Sequence, residues 1–97
     1  MDYFEFEWDE RKREANLTKH GVDFVRAVDV FFDESRIELE SGRADERRYQ
    51  AIGEVDDNTI ILLVYTHRAD KKRIISARMA SRKERKLYYG DNYERSH

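Results

Sequence analysis

Lys19 and His20 stand side by side near the end of the stretch N-L-T-K-H-G-V (Asn16–Val22), just where a helical run meets a glycine. Histidine suits either proton role in acid–base chemistry, because its ordinary pKa lies near 6.5, about where both forms coexist. The last third of the chain adds Arg68, Arg73, Arg78, Arg82, Arg85 and Lys86, with Ser76 and Tyr88 among them. Arginine grips phosphate with a planar fork of N–H donors. Such a set could cut an RNA phosphodiester without metal. A base takes the proton of the 2′-hydroxyl, which attacks its own phosphorus. Cations stabilise the charge growing on phosphate, and an acid protonates the leaving oxygen. Bland readings compete at each position. Lys19 and His20 also complement the dipole of a helix C-terminus. Arg78, in mid-strand, is either paired with a carboxylate such as Glu46 or faces an open groove and binds phosphate, since an unpaired buried guanidinium is costly. The basic face of the last helix (Arg82, Arg85, Lys86) could be simply solvated.

Other chemistries find no support. His20, His67 and His97 have no ligand-like spacing with one another or with a carboxylate. Asp56 and Asp57 share a turn but lack further oxygen ligands at useful spacing. There is no cysteine, hence no thiolate chemistry, and neither a P-loop nor a G-x-G-x-x-G motif. We expect no metal and no cofactor.

The elements that must position these residues follow from periodicity and caps. The alternation of Phe4, Phe6 and Trp8 predicts a short strand with one buried face. Asp9 is a good N-cap for a polar helix from Glu10 to about Lys19, which Gly21 ends as a left-handed C-cap. Asp23 caps a second helix, whose Phe24, Ala27, Val28 and Phe31 form an apolar stripe. Strands are expected over 36–40, 46–55, 59–65 and 73–80, with turns at 41–45 and 56–58 and a loop at 67–72. The run T-I-I-L-L-V-Y is apolar on both faces, as a central strand should be. In the last strand, alternation puts Ile75, Ala77 and Met79 on one face and Ile74, Ser76, Arg78 and Ala80 on the other. Ser81 caps a final helix ending at Gly90, and residues 91–97 read as a frayed tail. The result is one α+β domain over 1–97, an antiparallel sheet with helices covering one face, in the order β-α-α-β-β-β-β-α.

With 97 residues the chain suffices for a single small core. It is 41% charged, yet six Tyr, five Phe and one Trp in periodic runs argue against disorder. The net charge of −2 hides an asymmetry: residues 65–97 hold 10 Lys/Arg against 4 Asp/Glu, a balance of +6, while residues 1–64 balance at −8. A basic surface on an acidic domain is a footprint of phosphate recognition. The acidic N-terminus has no signal-peptide core and no run is long enough to span a bilayer, so a cytoplasmic protein without membrane contact is expected.

The stretch W-D-E-R-K-R-E-A-N-L-T-K-H-G-V-D-F (Trp8–Phe24) resembles the opening motif of the BrnT family, W-D-x-x-K followed by N and K-H-G-V. E-R-R-Y-Q-A-I-G-E-V and R-I-I-S-A-R-M-A-S-R-K-E-R-K-L-Y-Y resemble its later motifs, and the resemblance spans roughly residues 6–89. It implies a RelE-like fold and a metal-independent ribonuclease that inhibits translation, the toxin of a type II toxin–antitoxin pair. The implied partners are RNA and a BrnA-like antitoxin, with operator DNA met only through the antitoxin complex. Matching positions are Trp8, Asp9, Lys12, Asn16, Lys19, His20 and Gly21, then Glu46, Arg48 and Gly53, then Arg73, Ser76, Arg78, Arg82, Glu84, Arg85 and Tyr88. Residue chemistry and resemblance together nominate Lys19, His20, Arg68, Arg78 and Arg82 as catalytic, and Arg73, Ser76, Arg85, Lys86 and Tyr88 as RNA-binding. They do not say which residue is the base. The rival reading is a non-catalytic module that binds nucleic acid or protein.

Overall fold

Each α-helix begins where a side chain caps the backbone, and the first and last end at a glycine. In the computed structural model, which describes residues 5–43, 46–56 and 58–90, Asp9 accepts from the N–H groups of Arg11 and Lys12 to open α1 (Glu10–His20). Gly21 closes α1 at φ 72°, its N–H reaching the carbonyl of Leu17. Asp23 caps α2 (Phe24–Ala27) through the Val25 N–H. Ser81 and Glu84 form a capping box at the start of α3 (Arg82–Tyr89).

The second helix differs from its expected form. After one α-helical turn the chain tightens into a 3₁₀ helix over Val28–Phe32. That winding has about three residues per turn, and it brings Val30 into the core with Val28 while Phe32 stays exposed. Gly53 makes room: a Cβ there would lie 3.0 Å from Val30 Cγ1.

Five strands form one sheet in the order β1-β5-β4-β3-β2. They are β1 (Phe6–Glu7), β2 (Ile37–Arg43), β3 (Glu46–Asp56), β4 (Thr59–Arg68) and β5 (Lys71–Met79). The doubly apolar run is the middle strand, as its composition requires. Three expectations are corrected. The sheet is mixed, because β1 runs parallel to β5. The loop expected at 67–72 is the end of a longer β4–β5 hairpin, in which Arg68 pairs with Lys71 and Ala69 takes φ 56°. The turn expected at 41–45 likewise shrinks, since β2 continues to Arg43 and β3 starts at Glu46. Phe4, Ala44, Asp45, Asp57 and the tail 91–97 lie outside the described residues.

The helices do not share one face. Ala51, Ile61, Leu63, Tyr65, Ile74 and Ala77 pack with Val22, Phe24, Ala27, Val28 and Val30 on one side. Ile52, Ile60, Leu62 and Ala80 pack with Tyr88 and Tyr89 of α3 on the other. A β-bulge opposite Val64 and Tyr65 sets this partition. Val64 opposes Ser76 but Tyr65 opposes Ile74, so Ile75 is the extra residue. Ile74 therefore joins Ala77 in the larger core, not Ser76 and Arg78 as strict alternation predicts.

α1 seals the sheet edge that β1 is too short to cover. The Asn16 carboxamide accepts from Ala77 N–H at 3.1 Å and donates to Ala77 C=O at 2.7 Å, the two bonds a neighbouring strand would make. Nδ2 also donates to Val22 C=O at 2.9 Å. Asn16 is the buried polar residue among the described ones.

Candidate functional site: the sheet face beside α3

The register stacks the residues of the α3 side into rows. Arg78 opposes Leu62, which opposes Ile52, which opposes Ile37. The next row is Ser76, Val64, Gln50 and Leu39. Arg73 then opposes Thr66, Arg48 opposes Ser41, and Lys71 opposes Arg68 at the hairpin end. α3 covers the first row and leaves the rest to solvent, so Gln50, Val64, Thr66, Arg73 and Ser76 are half-buried while Arg48, Arg68 and Lys71 are exposed. The open face is polar and basic along about 20 Å of strand, at roughly 3.3 Å per residue.

Arg78 occupies the row beneath α3. Its Nη1 and Nη2 each donate at 2.8 Å to one oxygen of Glu84, and Nη1 also donates to Met79 C=O at 3.2 Å. The carboxylate expected for a mid-strand arginine is therefore present, but it is Glu84, not Glu46, which opens β3 opposite Arg43. The fork holds the Glu84 carboxyl below its usual range, helped by the Ser81 N–H, and raises the Arg78 guanidinium in turn. The Arg78 side chain still keeps 39% of its surface exposed, and its Nε–H points to no protein acceptor among the described residues.

The other nominated cations separate along the strand. Arg68 and Arg73 share Glu7, at 3.8 and 2.6 Å. They lie toward the hairpin end, so Arg68 is not brought together with Arg78. On α3, Arg85 is half-buried and its Nη1 reaches Ala80 C=O at 3.4 Å, while its Nε is buried without a partner. Arg82 and Lys86 are exposed and form no ion pair among the described residues. Tyr88 is engaged elsewhere: its hydroxyl donates to Asp33 Oδ2 at 2.6 Å. Burial and that carboxylate push the Tyr88 pKa well above the usual phenol range. Lys19 is exposed and His20 half-buried at the C-terminal end of α1, along the β5 edge beyond the Asn16–Ala77 contact. Neither makes a hydrogen bond or ion pair with the β5 or α3 cations among the described residues.

Sequence reasoning missed Glu84 as the arginine's clamp. A signal was present, since S-R-K-E (Ser81–Glu84) has the spacing of a capping box, and a carboxylate placed there lies one turn from the end of β5. It also missed a groove of about 620 Å³ between α3 and the β2–β3 pair, lined by Leu39, Gln50, Ile52, Lys83, Lys86 and Leu87 together with Glu84 and Gly90. Among the described residues no group of three or more His, Cys, Asp or Glu is arranged to hold a metal ion, and no helix is long and apolar enough to cross a membrane.

The family model described as the ribonuclease toxin BrnT of type II toxin–antitoxin systems matches residues 8–84. The chain belongs to the BrnT family. The crystal structure of the Brucella abortus ribonuclease toxin BrnT is similar to it at 35% identity and a TM-score of 0.66, covering 79% of this chain and 96% of that one. Among curated proteins none matches. The α+β architecture, with its five-stranded mixed sheet and three helices, is thus shared with a BrnT toxin. The family description makes the chain kin to ribonuclease toxins, and membership of a type II system implies an antitoxin partner. The matched span reaches Arg73, Ser76, Arg78 and Glu84 on the open face and stops short of Arg85, Lys86 and Tyr88.

Several residues that match the family's motifs turn out to hold the fold. Trp8 packs edge-on against Phe24, with ring centroids 6.1 Å apart, Asp9 and Gly21 are caps, and Asn16 is a surrogate strand. Gly53 admits Val30.

Proposed function

We propose that this BrnT-family chain is a metal-independent, RelE-like endoribonuclease that inhibits translation in the cytoplasm, and that RNA lies on the open sheet face beside α3. The observation carrying the proposal is the register of that face, which lines up Ser76, Arg73 and the Arg68–Lys71 pair below Arg78. Arg73 and Lys71 lie two residues, roughly 7 Å, apart, with Arg78 beyond Ser76 on the same face, a line of cations that suits a phosphodiester backbone. Arg78, fixed by Glu84, offers its free Nε–H to the phosphate at the scissile position, and Arg82 adds charge from α3. Arg73, Ser76 and Lys86 are the RNA contacts, with Arg68 binding a flanking phosphate. Arg85 and Tyr88 support α3, through Ala80 and Asp33 respectively.

In the reaction the 2′-oxygen bonds to phosphorus as the P–O5′ bond breaks. The products are a 2′,3′-cyclic phosphate and a free 5′-hydroxyl, and the proton lost from the 2′-oxygen is matched by one gained at O5′. His20, beside Lys19 at the C-terminal end of α1, is the candidate proton carrier. The partner is a BrnA-like antitoxin, and operator DNA is reached through the toxin–antitoxin complex.

The test is incubation of the free protein with total RNA in excess EDTA, with product ends analysed chemically. Cleavage leaving cyclic phosphates is expected. Activity that vanishes in EDTA and returns with a divalent ion overturns the mechanism. No cleavage in either condition favours the non-catalytic binding module.

A further inference from the structure

The groove between α3 and the β2–β3 pair is built differently from the cationic rows beside it. Leu39 and Leu87 face each other across it at 40% and 50% exposure, above a floor of Ile52 and Gln50. Leaving such aliphatic surface wet is unfavourable, and a matching apolar surface removes it from water. Lys83 and Lys86 form the rim, and neither has an ion-pair partner among the described residues. The acid in the lining, Glu84, is already committed to Arg78 and Ser81.

We infer that this groove is the docking site for an acidic amphipathic helix of the antitoxin. The inference rests on the toxin reading above and names the surface through which the toxin is held. Aliphatic side chains at i, i+3 and i+4 of the incoming helix would seat against Leu39, Ile52 and Leu87, the helix-in-groove mode of recognition. Carboxylates flanking them would meet Lys83 and Lys86, whose charge speeds encounter more than it deepens affinity. RNA suits the groove poorly. Single-stranded bases are held by stacking on exposed aromatic rings, and the lining here holds no aromatic ring, while Tyr88 and Tyr89 pack against the core beneath α3. Glu84 belongs both to the groove wall and to the Arg78 clamp. A helix seated there presses on the residue that fixes Arg78, so occupancy of the groove acts on the RNA face through that clamp.

The test uses the toxin purified with its antitoxin, separated, refolded and re-titrated by calorimetry at low and high salt. Three toxins are compared: wild type, Leu87→Asp and Lys83→Glu, each checked for native circular dichroism. Leu87→Asp should weaken binding by about tenfold or more at both salts, as expected for a central apolar anchor. Lys83→Glu should weaken it about three- to tenfold at low salt and far less at high salt. Hydrogen exchange in the complex should protect 37–40 and 83–89. Because Leu39→Ser removes an apolar anchor from a different element, it serves where Leu87→Asp fails to fold, with the same loss expected. Unchanged affinity in a folded Leu87 or Leu39 variant, or protection confined to another surface, overturns the proposal. So does a Leu87 variant that loses RNA cleavage while binding antitoxin normally, which would make the groove an RNA surface. If wild-type toxin cuts no RNA yet the Leu87 variant still loses the antitoxin, the ribonuclease reading fails and the docking site stands.

Discussion

Replacing Asn16 by Ala should cost the protein a large part of its stability without touching the chemistry. Asn16 is only 7% exposed. Its carboxamide satisfies three backbone groups: the N–H and C=O of Ala77 and the C=O of Val22. Truncation to Ala strands all three beside the core. A buried group left without a partner costs about 1–3 kcal/mol. Water entering from the β5 edge recovers part of this, so a loss of about 3–5 kcal/mol is expected. A domain of this size holds roughly 5–15 kcal/mol in total, so the variant keeps little margin. Urea unfolding followed by tryptophan fluorescence reads the loss directly, because Trp8 packs against Phe24 in the same core.

The Asn16→Asp variant tests the same reasoning through pH. One carboxyl oxygen would replace Nδ2 and face the carbonyls of Val22 and Ala77, which disfavours the ionised form. The folded pKa of the new acid then lies above its unfolded value of about 3.9. A raised folded pKa means the variant is least impaired below that unfolded value and loses stability as pH climbs through the folded one. Its deficit relative to wild type should therefore be smaller at pH 4 than at pH 7. The reasoning is refuted if Asn16→Ala unfolds at the wild-type urea midpoint. If that variant instead keeps its stability and loses RNA cleavage, Asn16 acts in the reaction.

Other outcomes follow from the same contacts. Gly53→Ala places a methyl 3.0 Å from Val30 Cγ1 and 3.2 Å from Arg36 Cβ, and should destabilise by about 1–3 kcal/mol in thermal unfolding; no loss would mean the 3₁₀ segment yields freely. Tyr88→Phe removes the bond to Asp33 and should cost about 0.5–1.5 kcal/mol while RNA cleavage stays at the wild-type rate; lost cleavage at normal stability would place the hydroxyl in the active site. The Glu84 carboxyl is held low by Arg78, so its contribution is full above the ordinary carboxylate pKa and drains away as pH falls through the lowered one. Glu84→Gln should therefore flatten the acid limb of stability against pH, and an unchanged limb would deny the clamp. Arg78→Ala should reduce cleavage by roughly 10²–10³ if its Nε–H meets the transition-state phosphate, and full activity in a folded variant would refute that role.

What could be read from the chain and what could not divide by range. Caps at Asp9, Gly21, Asp23 and Ser81 depend on neighbours a few residues away, and each was legible. So was the central strand, whose doubly apolar composition reflects burial on both sides. The bulge at Ile75 was not, because it exists only in the pairing of β5 with β4. That single unpaired residue moved Ile74 to the other face. The parallel β1–β5 pair and the separation of α3 from α1 and α2 were equally hidden, since both depend on contacts distant in sequence. At the site, the cations were visible as charge, but their grouping was not. Glu7 draws Arg68 and Arg73 together, and Glu84 takes Arg78.

The two sheet faces carry different duties, and the bulge lets one strand serve both. Beyond Ile75, Ala77 turns into the large core while its backbone edge is held by Asn16, and Arg78 turns out beneath α3. Before it, Ile74 packs inward and Arg73 meets Glu7 on the open side. An unbroken strand would have turned Ile74 toward the polar rows and Ile75 toward the core. The bulged register instead keeps Ile74 inside and leaves Ser76 between Arg73 and Arg78 on the open face. Arg78 then requires a partner, because a guanidinium pinned half-buried under a helix is costly when unpaired. Glu84 supplies it from the first turn of α3, where the capping box already fixes the carboxylate. The same residue thus starts the helix, anchors it to β5 and aims the arginine. α3 buries no residue fully, so its place over the sheet depends heavily on that clamp and on the Tyr88–Asp33 bond. Loosening either contact should shift the helix that borders both the RNA face and the antitoxin groove.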